Sequence, residues 1–129
     1  MSDCLFCKIV KGEVSSVKIY EDDDFLGFMD IYPVAKGHAL LIPKNHVEWM
    51  QDCNDELISK SFVLTKKLMI NMKNSLPCDY VQVNIVGDQI PHFHIHLIPR
   101  HFNDNLAKWP TVSYNGDTEM TDYANKIKS

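Results

Sequence analysis

Residues 92–98 read His92-Phe93-His94-Ile95-His96-Leu97-Ile98, so polar and apolar side chains alternate with a period of two. Side chains at i, i+2 and i+4 of an extended chain share one face. The segment therefore predicts a strand with His92, His94 and His96 on one side, and Phe93, Ile95 and Leu97 turned into a core. Three imidazoles on an otherwise apolar strand carry a desolvation cost unless something uses them. A merely solvated face would use Thr, Lys or Glu instead. Two chemistries compete for the three rings. Neighbouring histidines on this face stand about 6.7 Å apart and the outer two about 13 Å apart. All three cannot reach one zinc whose bonds are about 2.0–2.1 Å, although an i, i+2 pair with a third ligand from elsewhere could. The other chemistry is nucleophilic attack by a neutral imidazole at phosphorus or an acyl carbon, with flanking rings fixing its tautomer and donating protons.

The rest of the chain supplies a sheet for such a strand. Residues 17–21 and 25–31 are strand-like and meet at the acidic turn Asp22-Asp23-Asp24, which predicts a hairpin. Residues 38–42 predict a third strand stopped by Pro43, and 79–86 alternate Tyr80, Gln82 and Asn84 against Val81, Val83 and Ile85. Pro99 is expected to end the histidine strand. Residues 54–76 predict the one long helix: Asn54 is a good N-cap, Asp55 and Glu56 suit the positive end of the dipole, and Pro77 follows. Leu57, Leu64, Leu68 and Met72, with Ile58, Phe62 and Met69, form its apolar stripe. Strands, one long helix and two more strands favour an α+β fold with a mainly antiparallel sheet over a repeating βαβ pattern. Residues 5–10 are a short apolar segment, and beyond His101 only Trp109-Pro110 suggests packing.

With 129 residues, 45% hydrophobic and 23% charged, the chain is one ordinary globular domain, and a net charge of −4 excludes disorder. Thirteen Lys and Arg against 17 acids give no global attraction for nucleic acid, and Arg100 is the single arginine. No apolar run approaches the roughly 18 residues of a membrane helix. The opening MSDCLFCKIV lacks the charge pattern of a signal peptide, so a cytoplasmic protein is expected. Its four cysteines are then reduced thiols or metal ligands.

The pattern of residues 92–98 resembles the histidine triad (HIT) family of nucleotide hydrolases and transferases, in its Hint-like branch. CLFCKIVKGE, KIYEDDDFLGFMDI and KGHALLIPKNH are similar to family segments in the same order, so the resemblance spans about residues 4–100. It implies the HIT α+β fold over residues 1–105, a single domain with an antiparallel five-stranded sheet, one long helix and a short helix. Residues 106–129 would be a tail packing on or near it, and two copies would form a homodimer. His94 would be the nucleophile, attacking the α-phosphate of a purine nucleotide conjugate to give a nucleotidyl-histidine that water resolves to a nucleoside monophosphate. His96 would contact the phosphate or leaving group and His92 would orient the site, with no catalytic metal required. Phe6, Ile9, Phe28, Asp30 and Ile31 would form the nucleotide pocket, and Asn84, Gln89, His94 and His96 would face the phosphates and leaving group. Arg100 either adds a charge there or ties down the tail.

The resemblance leaves the substrate branch open between a nucleoside phosphoramidate and a dinucleoside polyphosphate. A nucleotide-binding scaffold with little turnover is the rival of another class. The run Gly87-Asp88-Gln89-Ile90-Pro91 departs from the family's usual Gly-Gln-x-Val, and the stretch from Asn84 to His92 is shorter than is common. Cys4-x-x-Cys7, with His46 and His92, completes a Cys₂His₂ set suited to tetrahedral zinc, and family members with this N-terminal motif bind zinc through the matching residues. Such a closed site would be structural, clipping the N-terminus to the sheet. Cys53 and Cys78 read as small apolar residues, and His38 and His101 receive no role.

Overall fold

The computed structural model describes residues 3–105 and 112–128. Nine elements follow in order: α1 (Leu5–Val10), β1 (Lys18–Glu21), β2 (Phe25–Met29), β3 (Ala39–Pro43), a 3-10 turn (Met50–Asp52), α2 (Asp55–Ser75), β4 (Tyr80–Asn84), β5 (Ile95–Arg100) and α3 (Asp117–Lys128). The five strands form one antiparallel sheet in the order β1-β2-β3-β5-β4. The expected hairpin is β1–β2, its turn held by Asp22 Oδ1 accepting from the backbone N–H of Asp24 (2.8 Å) and Phe25 (2.7 Å). Asn54 caps α2 by accepting from Leu57 N at 2.8 Å.

Pro43 is the last residue of β3, as its place at the expected strand end suggests, whereas Pro99 lies inside β5 with Arg100 after it. β3 and β5 pair only over Ala39–Leu41 and Ile95–Leu97, so beyond that overlap each strand has a neighbour on one side alone. Lys44 N donates to Asp24 O toward β2, which by alternation turns the nitrogen of Pro43 away from β2. Arg100 O accepts from Asp79 N toward β4, which likewise turns Pro99 to the unpaired side. Neither missing N–H costs a ladder bond. The histidine strand is also shorter at its start than expected. It begins at Ile95, and Phe93 N donates to Val47 O instead, so among the three histidines only His96 sits within a strand.

The sheet has two covered faces. Against α2 and α3 lies the main core, in which Phe25, Met29, Leu41, Phe93, Ile95 and Leu97 meet Leu64, Leu68, Met72, Ala124 and Ile127. The stripe of α2 faces the core as expected, with Leu64, Leu68 and Met72 buried and Leu57, Ile58 and Met69 half-buried against it; of the stripe Phe62 alone is exposed, and Ser61 and Thr65 are buried on the same face. Their hydroxyls donate to helix carbonyls of Ile58 (2.8 Å) and Ser61 (2.7 Å), so neither is left unsatisfied. The sequence pattern offered no element after His101, whereas α3 packs on β1 and α2 with Ala124 and Ile127 buried. Trp109 and Pro110 lie outside the described residues. On the opposite sheet face, α1 covers Leu26, Phe28, Leu40 and Ile42 with Phe6 and Ile9. The histidines lie on that side.

Candidate active site

His92, His94 and His96 are all buried, and each ring nitrogen's role follows from its neighbour. His94 Nδ1 stands 2.7 Å from the carbonyl of His92. A carbonyl only accepts, so Nδ1 carries the proton and Nε2 keeps the lone pair. Burial pushes the His94 pKa down, opposed by that hydrogen bond and by the Asp88 carboxylate, so the ring is neutral at pH 7. Phe6 meets it edge-on, ring centroids 5.1 Å apart, and packs on Phe28 at 5.4 Å. The ring of His96 lies 4.9 Å away.

His96 owes its tautomer to His38, a residue to which the sequence reading gave no role. His38 is fully buried, and its Nδ1 accepts from the backbone N–H of Val34 at 2.9 Å. The His38 proton therefore sits on Nε2, which donates to His96 Nδ1 at 2.9 Å. That in turn leaves the His96 proton on Nε2. Burial, with His96 and His94 nearby, pulls the His38 pKa down to about 3, and burial with His94 pulls that of His96 down to about 4. Asp30 Oδ2 approaches His38 Nε2 at 3.5 Å, and burial raises its carboxyl above the usual range. Asp30, His38 and His96 are close enough to hold a metal. Their chemistry speaks otherwise, because the proton on His38 Nε2 occupies the place of the lone pair that a metal would need. The trio is a hydrogen-bonded pair of imidazoles with the Asp30 carboxyl beside it. Strand alternation could have found His38, since Leu40 and Ile42, two and four residues on, face the same side.

A cavity of about 270 Å³ opens beside these rings, lined by Val86, Gly87, Asp88, Gln89, His94 and His96. Gln89 thus stands with the histidines, as does Asp88, which the sequence reading did not single out as a site residue. Asn84 is opposite His96 across the β4–β5 ladder, with Oδ1 accepting from Gln82 Nε2 at 2.6 Å. Gln82 in turn accepts from Arg100, which is bidentate to Asp104 at 2.6 and 2.7 Å, so the arginine ties the chain after β5 to β4. Phe6, Ile9 and Phe28 are buried as a wall on the α1 side, while Asp30 and Ile31 follow β2, with Ile31 largely exposed. A larger groove, about 420 Å³, lies between the β1–β2 turn and α2, but its lining (Tyr20, Asp22, Lys60 and Lys67 among others) holds no imidazole or thiol.

The second cluster brings Cys4, Cys7, His46 and His92 together, every ligating atom within 4.8 Å of the others. His92 Nε2 donates to Pro43 O at 2.8 Å, which leaves its Nδ1 lone pair toward Cys4 Sγ (3.4 Å) and Cys7 Sγ (3.5 Å). His46 Nδ1 is 3.2 Å from Cys7 Sγ. In a tetrahedral zinc site, bonds of about 2.3 Å to sulfur and 2.0–2.1 Å to nitrogen put S and N about 3.5 Å apart, so the donors fit that ion. Burial and the neighbouring Cys4 push the Cys7 thiol pKa up, an effect that a cation between the sulfurs would reverse. His92 therefore joins both clusters: its ring faces the thiols and its carbonyl holds the His94 ring.

A family model described as the HIT domain matches residues 11–103. An adenosine 5'-monophosphoramidase of Schizosaccharomyces pombe is 42% identical over 101 residues, covering 75% of this chain and 74% of that protein. Its namesake in Saccharomyces cerevisiae is 37% identical over 111 residues, covering 83% and 70%. Among solved structures, a Zn-bound histidine triad family protein from Mycobacterium smegmatis superposes with a TM-score of 0.86 at 28% identity, covering 98% of this chain and 91% of that one.

Proposed function

Because this chain belongs to the HIT domain family, we propose that it is a hydrolase of nucleoside phosphoramidates or similar nucleotidyl conjugates, with His94 as a covalent nucleophile. One observation supports the reading: the His92 carbonyl accepts a hydrogen bond from His94 Nδ1–H, so a ring with its lone pair on Nε2 lines the cavity. Attack of Nε2 on the α-phosphorus forms a P–N bond as the bond to the leaving nitrogen breaks with its electron pair. The Nε2–H of His96 is the donor for that nitrogen, held in register by the His38 hydrogen bond. Water then cleaves the phosphoryl-histidine bond. Over the cycle R–NH–P plus water becomes R–NH₂ plus the monophosphate, the water hydroxyl going to phosphorus and its proton to the amine. Asn84 and Gln89 are candidate donors to phosphate oxygens, and Asp30 to accept from ribose hydroxyls. The Phe6, Ile9 and Phe28 wall would back the base.

Zinc in the Cys4, Cys7, His46 and His92 set would be structural: four protein ligands leave no open position, and the ion would secure α1 to the chain beside the nucleophile. The expected homodimer would cover apolar side chains that one chain leaves in water, among them Phe62, Val63, Ile70 and Ile85. All four cysteines are unpaired, which suits a reducing compartment such as the cytoplasm. Among the described residues no helix is long and apolar enough to cross a membrane.

The test is mass spectrometry of an acid- or denaturant-quenched reaction with adenosine 5'-phosphoramidate. A nucleotidyl adduct on His94 is expected, with turnover falling on the order of 10⁴-fold in His94→Ala while AMP binding is kept. Tight AMP binding with neither adduct nor turnover would make the protein a nucleotide-binding module instead.

A further inference from the structure

We infer that Asp88, on the lip of the cavity beside His94 and His96, selects leaving groups that carry a positive charge beyond the scissile nitrogen and disfavours polyanionic ones. This rests on the reading of His94 as the nucleophile and names the side of the substrate that the reading left open. Three observations converge on it. Among the described residues Asp88 is the one carboxylate, and the one charged side chain other than an imidazole, in the cavity lining, whose other members are Val86, Gly87, Gln89, His94 and His96. Its side chain lines the same cavity as the rings of His94 and His96. Among the described residues no hydrogen bond or ion pair occupies the carboxylate, in contrast to Asp22, Asp30 and Asp104, each held by backbone or side-chain donors.

The lip also has backing. Gly87 has φ of +109°, and a Cβ there would come within 2.8 Å of the Trp49 ring, so the indole lies against the backbone next to Asp88. A leaving group that departs through this mouth would meet one negative charge and, among the described residues, no Lys or Arg. An ammonium or guanidinium a few bonds from the scissile nitrogen answers that charge. The departing nucleotide of a dinucleoside polyphosphate places several like charges there. The site therefore points to phosphoramidates of diamines or basic amino acids. Asp88 is exposed, so salt screens the effect.

Three adenosine 5'-phosphoramidates of matched length test this: those of 1,4-diaminobutane (distal ammonium), n-pentylamine (neutral) and 4-aminobutyrate (distal carboxylate). At low salt the wild-type kcat/KM should fall in that order by about tenfold from first to last, and 0.3 M NaCl should compress the series. Asp88→Asn should bring the three within about twofold of one another. Equal wild-type rates for the three, with adduct still forming on His94, overturn the selector role and leave the nucleophile standing. A drop in all three alike in Asp88→Asn also overturns it, as that would mark a loop-positioning residue. If no compound gives a His94 adduct, the proposed function fails, and calorimetric affinities of the three intact compounds then decide about Asp88. Affinities in the same charge order support it, and equal affinities sink it.

Discussion

Acidification should destabilise this fold through its buried neutral imidazoles, and His96 allows the effect to be isolated. In the unfolded chain a histidine titrates near about 6.5. In the fold, burial and the neighbouring His94 hold His96 down at about 4. Between those values the unfolded state binds one more proton than the folded state, so stability is full above pH 6.5 and is lost as the pH falls toward 4. From pH 7 to pH 5 the linkage relation makes that loss about 2 kcal/mol for this one ring. His38, held at about 3, adds a loss of the same sign, whereas the raised carboxyl of Asp30 works the other way. His96→Asn removes one ring and leaves the others, and its amide oxygen can still accept from His38 Nε2. Urea unfolding of both proteins, metal-replete, at half-unit steps from pH 7 to pH 5 should show the wild type losing about 2 kcal/mol more than the variant. With an m-value of about 1–3 kcal/mol/M, that is a relative midpoint shift of about 1 M. Parallel curves would mean that His96 is not neutral and desolvated as the hydrogen bond from His38 requires, and the tautomer assignment would fall with it.

Two further outcomes are expected. Gly37→Ala should destabilise by about 2 kcal/mol or more in thermal or urea unfolding, because φ is +98° there and a Cβ would stand 2.8 Å from Pro99 Cγ and 2.9 Å from Leu76 Cδ1. Metal analysis should find about one zinc per chain, lost in Cys7→Ser; chelation should lower the melting temperature while His94 still forms its adduct.

Much of this molecule is local pattern. The period-two alternation around His94 and Tyr80, the Asn54 cap, the acidic turn of the β1–β2 hairpin and the Cys-x-x-Cys spacing each follow from the geometry of a few successive residues, and all are visible in the chain alone. Where the local reading went astray, a neighbour distant in sequence was responsible. Pro99 looks like a strand end until the short β3–β5 overlap shows that its nitrogen faces no partner. Phe62 is exposed while Ser61 and Thr65 are buried, because the line along which α2 meets the sheet is fixed by packing on strands distant in sequence. The identity of the nucleophile's neighbours was decided in space as well. His38 meets His96 across 58 residues and Cys4 meets His92 across 88, contacts that arise only once β3 lies beside β5 and α1 covers the outer face. Residue types and their spacing determine which side chains can do chemistry. Which nitrogen holds a proton depends on the single donor or acceptor opposite it, and only the folded chain brings that group within about 3 Å.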